Sequence, residues 1–336
     1  MRQTLVRLMT EGDLGAVDEL RRLAGWNQTP DDWRRLLELE PEGCFLAEVD
    51  GELAGTVTTT AYGQDLAWIG MMLVHPKHRR QGIATRLMSQ AIEYLRGRAV
   101  RCLRLDATPA GYPLYEKLGF IPEWTLTRCL RPPLTEVQTP VASSEARGSR
   151  VESPEGRGSR VEGRGPRGSR VEGHLSGVPS SLAPRPSSLA PRPSSTREMA
   201  DADWEAVEEL DAAACGARRP ALLRGLARHS VKALVWPGAR PAAGWGLLRG
   251  GANADYLGPV ACPRTEGAIA LVTDLLRGTG PRPVIWDVPD GNEAAKASAQ
   301  RFGFAPVRSL TRMRLGPDAP QRGPGAQFAI ADPAVG

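Results

Sequence analysis

The chain has few lysines, no paired cysteines at metal-ligand spacing and no long apolar run. Its five cysteines are an odd number, are widely spread and include no CxxC pair, so we predict neither a disulfide framework nor a bound metal. Residues 1–13 lack the apolar core of a signal peptide. No apolar run approaches the roughly 18 to 20 residues that a membrane-spanning helix requires. We therefore expect a cytoplasmic protein with reduced thiols and no membrane partner.

The scarcity of lysine bears on the positive net charge. Four lysines and 39 arginines make up the 43 basic residues, and the formal net charge is +5. Because Ala, Gly and Pro are also abundant, a GC-rich coding sequence explains this bias better than selection for phosphate binding does. Residues 132–196 carry nine Arg and six Glu, which supply +3 of the total, and contain no aromatic side chain on which a base could stack. We expect no specific nucleic-acid partner, although nucleic-acid binding through these arginines is an alternative function.

The same segment divides the chain. Residues 132–196 repeat Arg-Gly-Ser-Arg-Val-Glu three times and Ser-Ser-Leu-Ala-Pro-Arg-Pro twice, and they lack the spaced apolar residues that could offset chain entropy. We predict a disordered linker there, between folded domains at residues 1–131 and 197–316. The Gly- and Pro-rich residues 317–336 are predicted to form a flexible tail.

Residues 66–98 combine a strand, a loop and a helix in a pattern typical of anion binding. An apolar run at residues 66–74 is followed by a basic loop and then by a helix, whose apolar residues are Ile83, Leu87, Met88, Ala91 and Leu95. The loop reads Arg-Arg-Gln-Gly-Ile-Ala at residues 79–84. A glycine and a small residue at a helix start leave backbone N–H groups unpaired and unscreened, which suits a phosphate or pyrophosphate.

Two segments identify a family resemblance. The run VHPKHRRQGIATRLM resembles motif A of the GNAT superfamily of acyl-CoA-dependent N-acetyltransferases, and Arg79, Gly82 and Ala84 match its fixed positions. The run LYEKLGF at residues 114–120 resembles GNAT motif B. Asp50-Gly51 between two apolar runs predicts the tight turn of a hairpin. The order of strand, helices, hairpin, strand, helix and strand along residues 5–106 is also that of a GNAT domain. The resemblance implies an α/β fold with an α+β mixed sheet.

The second half repeats the first. Residues 197–210 align with residues 7–20, and residues 301–312 align with residues 117–128. In the repeat, Ala299 stands where Tyr115 stands in the first half, and the counterpart of the anion loop contains Glu266 and Ile269. Glutamate repels phosphate, and a branched side chain obstructs its approach. We therefore predict tandem GNAT-like acyl-CoA N-acyltransferase domains, of which the second is degenerate and covers the acceptor site.

The resemblance also implies roles for single residues. The cofactor would be acetyl-CoA (coenzyme A), bound by Met72, Val74, Arg79, Arg80, Gln81, Gly82, Ile83, Ala84 and Thr85. Backbone groups of Met72 and Val74 would pair with the pantetheine arm, and the Val74 N–H would donate to the thioester oxygen. The motif B tyrosine, by position Tyr115, would protonate the departing thiolate. The acceptor would be an amine, with a small molecule as the expected class. The sequence makes no prediction of oligomeric state.

Two departures from the family pattern leave questions open. Many GNATs place a glutamate in the central strand as general base, but this strand contains none, so Asp106, Asp65 or Glu48 would have to substitute. The asparagine often found before the motif B tyrosine is also missing. The missing strand glutamate and the degenerate second domain suggest one alternative, a noncatalytic acyl-CoA-binding sensor. Trp26 and Trp33 are candidates either for the acceptor pocket or for the core.

Overall fold

The computed structural model describes residues 4–133, 195–238, 241–317, 325 and 327–336. Its two halves repeat one series of elements. The first half consists of β1 (Thr4–Leu8), α1 (Leu14–Leu23), α2 (Pro30–Leu39), β2 (Cys44–Val49), β3 (Glu52–Tyr62), β4 (Leu66–Val74), α3 (Ile83–Gly97), β5 (Cys102–Ala107), α4 (Tyr112–Lys117) and β6 (Ile121–Arg131).

The second half follows the same order and adds one strand. It consists of β7 (Arg197–Glu198), α5 (Trp204–Cys215), α6 (Pro220–Arg228), β8 (Ser230–Trp236), β9 (Gly244–Arg249), β10 (Asp255–Ala261), α7 (Thr265–Leu276), β11 (Val284–Pro289), α8 (Glu293–Arg301), β12 (Ala305–Leu315) and β13 (Gln327–Ala329). Each element from β7 to β12 therefore has a counterpart between β1 and β6, which confirms the predicted repeat.

Local sequence explains several of these elements. Asp50 and Gly51 both have positive φ, at 53° and 85°, as the predicted tight turn between β2 and β3 requires. Helix α2 begins at a reciprocal capping pair, in which Thr29 Oγ1 accepts from the Asp32 N–H and the Asp32 carboxylate accepts from the Thr29 N–H. The predicted apolar face of α3 is buried against the sheet. Short-range signals therefore predicted these elements correctly.

The strands form one continuous sheet in which the halves exchange their last long strands. The order is β1-β2-β3-β4-β5-β12-β6-β11-β10-β9-β8-β7, with β13 added beside β10. Strand β5 of the first half pairs with β12 of the second, and β11 of the second half pairs with β6 of the first. The sheet is therefore symmetric about the β12–β6 pair, and each half supplies a strand that the other lacks.

Two buried ion pairs lie at equivalent positions of this exchange. Arg312 on β12 donates two hydrogen bonds of 2.9 Å to Asp106 on β5, and their side chains are 1% and 0% exposed. Arg128 on β6 donates two hydrogen bonds of 2.7 and 2.6 Å to Asp287 on β11. The Arg312 guanidinium also lies between two indole rings, 4.5 Å from Trp68 and 4.2 Å from Trp124. Each pair thus joins one half to the other.

The helices cover the sheet in two ways. Helix α3 packs on the first half and α7 on the second, each over its own apolar cluster. A third cluster is shared, because it joins residues of α1 and α2 to residues of α5 and α6. Trp33 belongs to this shared core and is completely buried, so the core alternative holds for that residue. The halves are therefore joined by a common core as well as by the strand exchange.

The predicted flexible tail was wrong for residues 327–336. Strand β13 pairs with β10, and Phe328, Ile330 and Ala334 are buried. This segment is ordered because it buries apolar side chains and satisfies its backbone groups in the sheet. The predicted linker lies mostly outside the described residues, but Thr196 at its end is buried and donates to Asp274.

The Arg128–Asp287 pair provides a test of the strand exchange. Asp287→Ala leaves the buried Arg128 guanidinium without its carboxylate, so we expect the free energy of unfolding to fall by about 3 to 5 kcal/mol in chemical denaturation. Glu293→Ala is the control, because it removes an exposed carboxylate that pairs with Lys296 and should change stability little. Equal losses in the two variants would contradict a structural role for the buried pair.

Candidate active site

A cleft opens where β4 and β5 diverge. The two strands are parallel and paired only from Leu66 to Trp68 on β4. Beyond Trp68, β4 contains a bulge at which Met71 adopts a φ of +47°, and the Thr56 hydroxyl donates to the Met71 carbonyl at 2.8 Å. The His75 N–H bonds to Ala54 on β3. Because N–H directions alternate along a strand, the Val74 N–H points to the opposite edge, toward the cleft.

The predicted anion loop connects β4 to α3. Gly82 is the residue before α3 and has a φ of +77°, and it provides no side chain that caps the helix. The first N–H groups of α3, at Ile83, Ala84 and Thr85, are therefore left for another acceptor. Arg79 and Arg80 are exposed, and within the described part of the chain neither forms an ion pair. The loop thus combines a helix N-terminus with two guanidinium groups, which suits a pyrophosphate.

Tyr115 lies on α4 at the inner end of the cleft. Its side chain is 8% exposed and packs edge-on against Phe120. Burial raises the pKa of the Tyr115 phenol to about 12, so the hydroxyl is protonated at neutral pH and can donate a proton. The structure places Tyr115 in the same cleft as Met72, which is one of the two predicted pantetheine contacts.

Both halves line the cleft. The residues around it are Trp26, Gln28, Ile69, Gly70, Met71, Met72, Leu105, Asp106, Thr108, Tyr115, Arg128, Arg308, Leu310, Pro333 and Ala334. Trp26 thus lies at the cleft, unlike Trp33. Arg308 and Leu310 come from β12 of the second half. The sequence analysis did not predict that either residue lines the cleft. No local signal could have suggested them, because β12 reaches this cleft only through the strand exchange.

The three carboxylates considered as a general base have different surroundings. Asp65 pairs with Arg101 and Glu48 pairs with Arg7, both outside the residues that line the cleft. Asp106 lines the cleft, and Arg312 binds both of its oxygens. Burial raises the pKa of Asp106 and outweighs the opposite effect of Arg312. Of the three, Asp106 is therefore the carboxylate that lines the cleft.

Gly70 is a position of the central strand at which the cleft has no room for a side chain. A Cβ atom built on Gly70 would lie 2.3 Å from the Ala334 carbonyl oxygen, a distance that real side chains do not tolerate. Residues 330–336 are fixed there because Trp68 Nε1 donates to the Pro333 carbonyl at 2.9 Å and the Tyr62 hydroxyl donates to the Val335 carbonyl at 2.7 Å. A side chain at residue 70 would collide with this segment.

The second half has an equivalent cleft that the chain itself fills. Strands β10 and β11 pair only from Asp255 to Leu257 on β10, and β13 then pairs with β10 at Val260 and Ala261. Trp286 Nε1 donates to the Phe328 carbonyl at 2.8 Å, which holds β13 in the opening. Strand β13 therefore occupies the edge that corresponds to the cleft edge of β4. Ala299 is buried in α8, as the alignment with Tyr115 predicts.

Other candidate groups have structural roles. His75 Nδ1 accepts from the Lys77 N–H, and His78 is buried beside Glu52. In the described ranges, no three His, Cys, Asp or Glu side chains form a group that could hold a metal. All five cysteines are buried. No helix among the described residues is long and apolar enough to cross a membrane.

Comparison with known families agrees with this geometry. Residues 15–120 match the model of the acetyltransferase (GNAT) family, and residues 207–329 match that of an acetyltransferase (GNAT) domain. Together the two matches span more than half of the chain, with one in each half. The chain therefore belongs to the GNAT acetyltransferase family, as a tandem member, and this family transfers acyl groups from acyl-CoA.

Individual relatives support the tandem arrangement. A putative acetyltransferase from Pyrococcus horikoshii is 22% identical and has a TM-score of 0.70, with 99% of this chain and 96% of that chain covered. A tandem GNAT protein from the clavulanic acid biosynthesis pathway is 16% identical with a TM-score of 0.54, covering 95% of this chain and 100% of that one. At these identities the similarity shows the fold alone.

One curated relative is a holothin acyltransferase from Pseudoalteromonas sp. strain SANK 73390. It is 29% identical over 103 residues, which are 31% of this chain and 34% of that protein. The chain thus matches only about a third of the length of this relative. The match supports a relationship to acyltransferases and leaves the acceptor to be inferred from the site.

The filled second cleft predicts the number of CoA molecules bound. Because β13 occupies the strand edge in the second half, we expect titration calorimetry of CoA into the full chain to give one site per chain. A stoichiometry of two would show that β13 leaves the second cleft on CoA binding, and would contradict the structural assignment.

Proposed function

We propose that this protein is an acetyl-CoA-dependent N-acetyltransferase that transfers the acetyl group directly to a small amine. Three features carry the proposal: the strand edge open between β4 and β5, the uncapped start of α3, which follows β4 along the chain, and the protonated Tyr115, which lines the cleft. Each feature corresponds to one part of acetyl-CoA, namely the pantetheine arm, the pyrophosphate and the thioester.

The residues present fit the cofactor. Backbone groups of Met72 and Val74 would pair with the pantetheine arm as an added strand pairs with a sheet edge. The N–H groups along residues 81–85 would bind the pyrophosphate, and Arg79 and Arg80 would add positive charge beside it. Arg79 Nε already donates to the Val74 carbonyl at 3.4 Å, so this side chain connects the loop to the strand edge.

The chemistry follows from the placement of donors. Acetyl-CoA supplies an electrophilic acyl carbon and a thiolate leaving group. The Val74 N–H would donate to the thioester oxygen as an uncharged amine attacks, and the C–S bond would then break. Tyr115 would pass its proton to the departing sulfur. Asp106 is the carboxylate placed to receive a proton from the attacking amine, directly or through water.

The anion loop can be tested with two variants of equal size. Saturation with CoA at about a hundredfold above its dissociation constant should stabilise the wild-type protein by about 3 kcal/mol, measured as a thermal shift. Ala84→Glu places a carboxylate beside the N–H groups of α3 and should abolish the shift by repelling the phosphates, whereas the neutral Ala84→Gln should retain most of it. Identical shifts for the two variants would argue against pyrophosphate binding at this loop.

Tyr115→Phe tests the acid. The variant should lower kcat by about 100-fold, because a positioned general acid contributes at least that much, and should leave the CoA dissociation constant nearly unchanged. Tyr94→Phe is the control, because Tyr94 donates to Glu40 on the far side of α3 and should keep full turnover. A fully active Tyr115→Phe enzyme would remove the acid role.

The same assays separate the enzyme from the sensor. A noncatalytic acyl-CoA-binding protein would show the thermal shift but release no CoA with any amine. Release of CoA from acetyl-CoA, followed with a thiol reagent across a panel of amines, therefore decides between the two functions.

A further inference from the structure

Arg308 occupies an unusual position in the cleft. It lies on β12 and lines the cleft together with Gly70 and Tyr115. In the repeat it aligns with Trp124, whose ring packs 4.2 Å from the buried Arg312 guanidinium. At equivalent positions, the first half therefore has an aromatic side chain, Trp124, and the second half has a cation at the cleft, Arg308.

The other charges at the cleft are already balanced. Asp106 accepts two hydrogen bonds from Arg312, and Asp287 accepts two from Arg128. Arg308 differs from these groups, because no carboxylate among the described residues lies within 4.0 Å of its guanidinium. Among the described residues, the cleft consequently carries one positive charge that no carboxylate pairs.

Asp332, one of the two carboxylates that act electrostatically on Arg308, is bound by other groups. Asp332 accepts from Gln28 Nε2 at 2.9 and 3.2 Å and from the Ala334 N–H at 2.8 Å. Burial raises the pKa of Asp332. Partial desolvation lowers the pKa of the exposed Arg308, and Arg128 acts in the same direction while Asp287 and Asp332 oppose it. Arginine nevertheless stays charged at neutral pH.

We propose that the amine acceptor carries a carboxylate and that Arg308 binds it, so that the substrate class is an amino-acid-like molecule. A guanidinium fork matches a carboxylate in two parallel hydrogen bonds, and the pairing is stronger beside apolar walls such as Met71 and Leu310 than in water. This inference rests on the proposed function, because it places the amine of the same molecule at the thioester.

The test compares acceptors that differ only in the carboxylate. The probes are L-leucine and L-phenylalanine with their amides, each measured against wild type and Arg308→Gln. Binding is measured by calorimetry with protein saturated with CoA, and turnover by CoA release from acetyl-CoA. Because each acceptor is compared with itself in the two proteins, the different amine pKa values of acids and amides do not affect the ratio.

We expect Arg308→Gln to weaken binding and kcat/KM for both acids about tenfold to a hundredfold, the range for hydrogen bonds to a charged group. Both amides should change less than twofold, and Arg308→Lys should restore part of the loss for the acids. Arg301→Gln, an exposed arginine on α8, is the matched control and should behave as wild type. The CoA dissociation constant should be the same in all variants, which verifies that they fold.

The outcomes separate this inference from the proposed function. Equal losses for acids and amides, or wild-type protein that binds no acid more tightly than Arg308→Gln does, would overturn the carboxylate assignment. If acids bind through Arg308 but no probe is acetylated, the assignment stands and the transferase function is what fails.

Discussion

The exchange of β6 and β12 is the constraint on which the rest of the structure depends. Each strand brings one arginine to a buried carboxylate of the other half, Arg312 to Asp106 and Arg128 to Asp287. Buried charges are tolerated only while both partners are present, so a half without its counterpart would expose an unpaired strand edge and leave a carboxylate without its cation. The second half therefore completes the cleft of the first half even though its own cleft is filled.

Residues 327–336 affect the two clefts in opposite ways. Residues 327–329 form β13, which closes the strand edge of the second half. Residues 330–336 form one wall of the first cleft. The second role limits β4, because only glycine at residue 70 leaves room for the Ala334 backbone. The path of this segment thus excludes a side chain at one position of β4, and the carboxylate that lines the cleft comes from β5 as Asp106.

The parts of the structure that the sequence predicted are those governed by local chemistry. The Asp50-Gly51 turn, the apolar face of α3 and the glycine before that helix all follow from short-range conformational rules. The strand exchange could not be predicted, because residues 117–128 and 301–312 are similar and either strand could pair with β5. The prediction of a flexible tail failed because it rested on the overall Gly and Pro content of residues 317–336. The apolar run Phe-Ala-Ile at residues 328–330 is too short to change that content.

The two halves contribute different residues to the cleft, because the second half has no open cleft of its own. The loop at residues 79–85 and Tyr115 belong to the first half, and the geometry of acyl transfer restricts them. Residues of β12 need not hold a cofactor, since β13 fills the cleft of their own half. A side chain at the position of Arg308 can therefore change to suit an acceptor without disturbing the helix N-terminus that we propose binds phosphate. In this arrangement the degenerate half is where acceptor specificity can be set at least cost to catalysis.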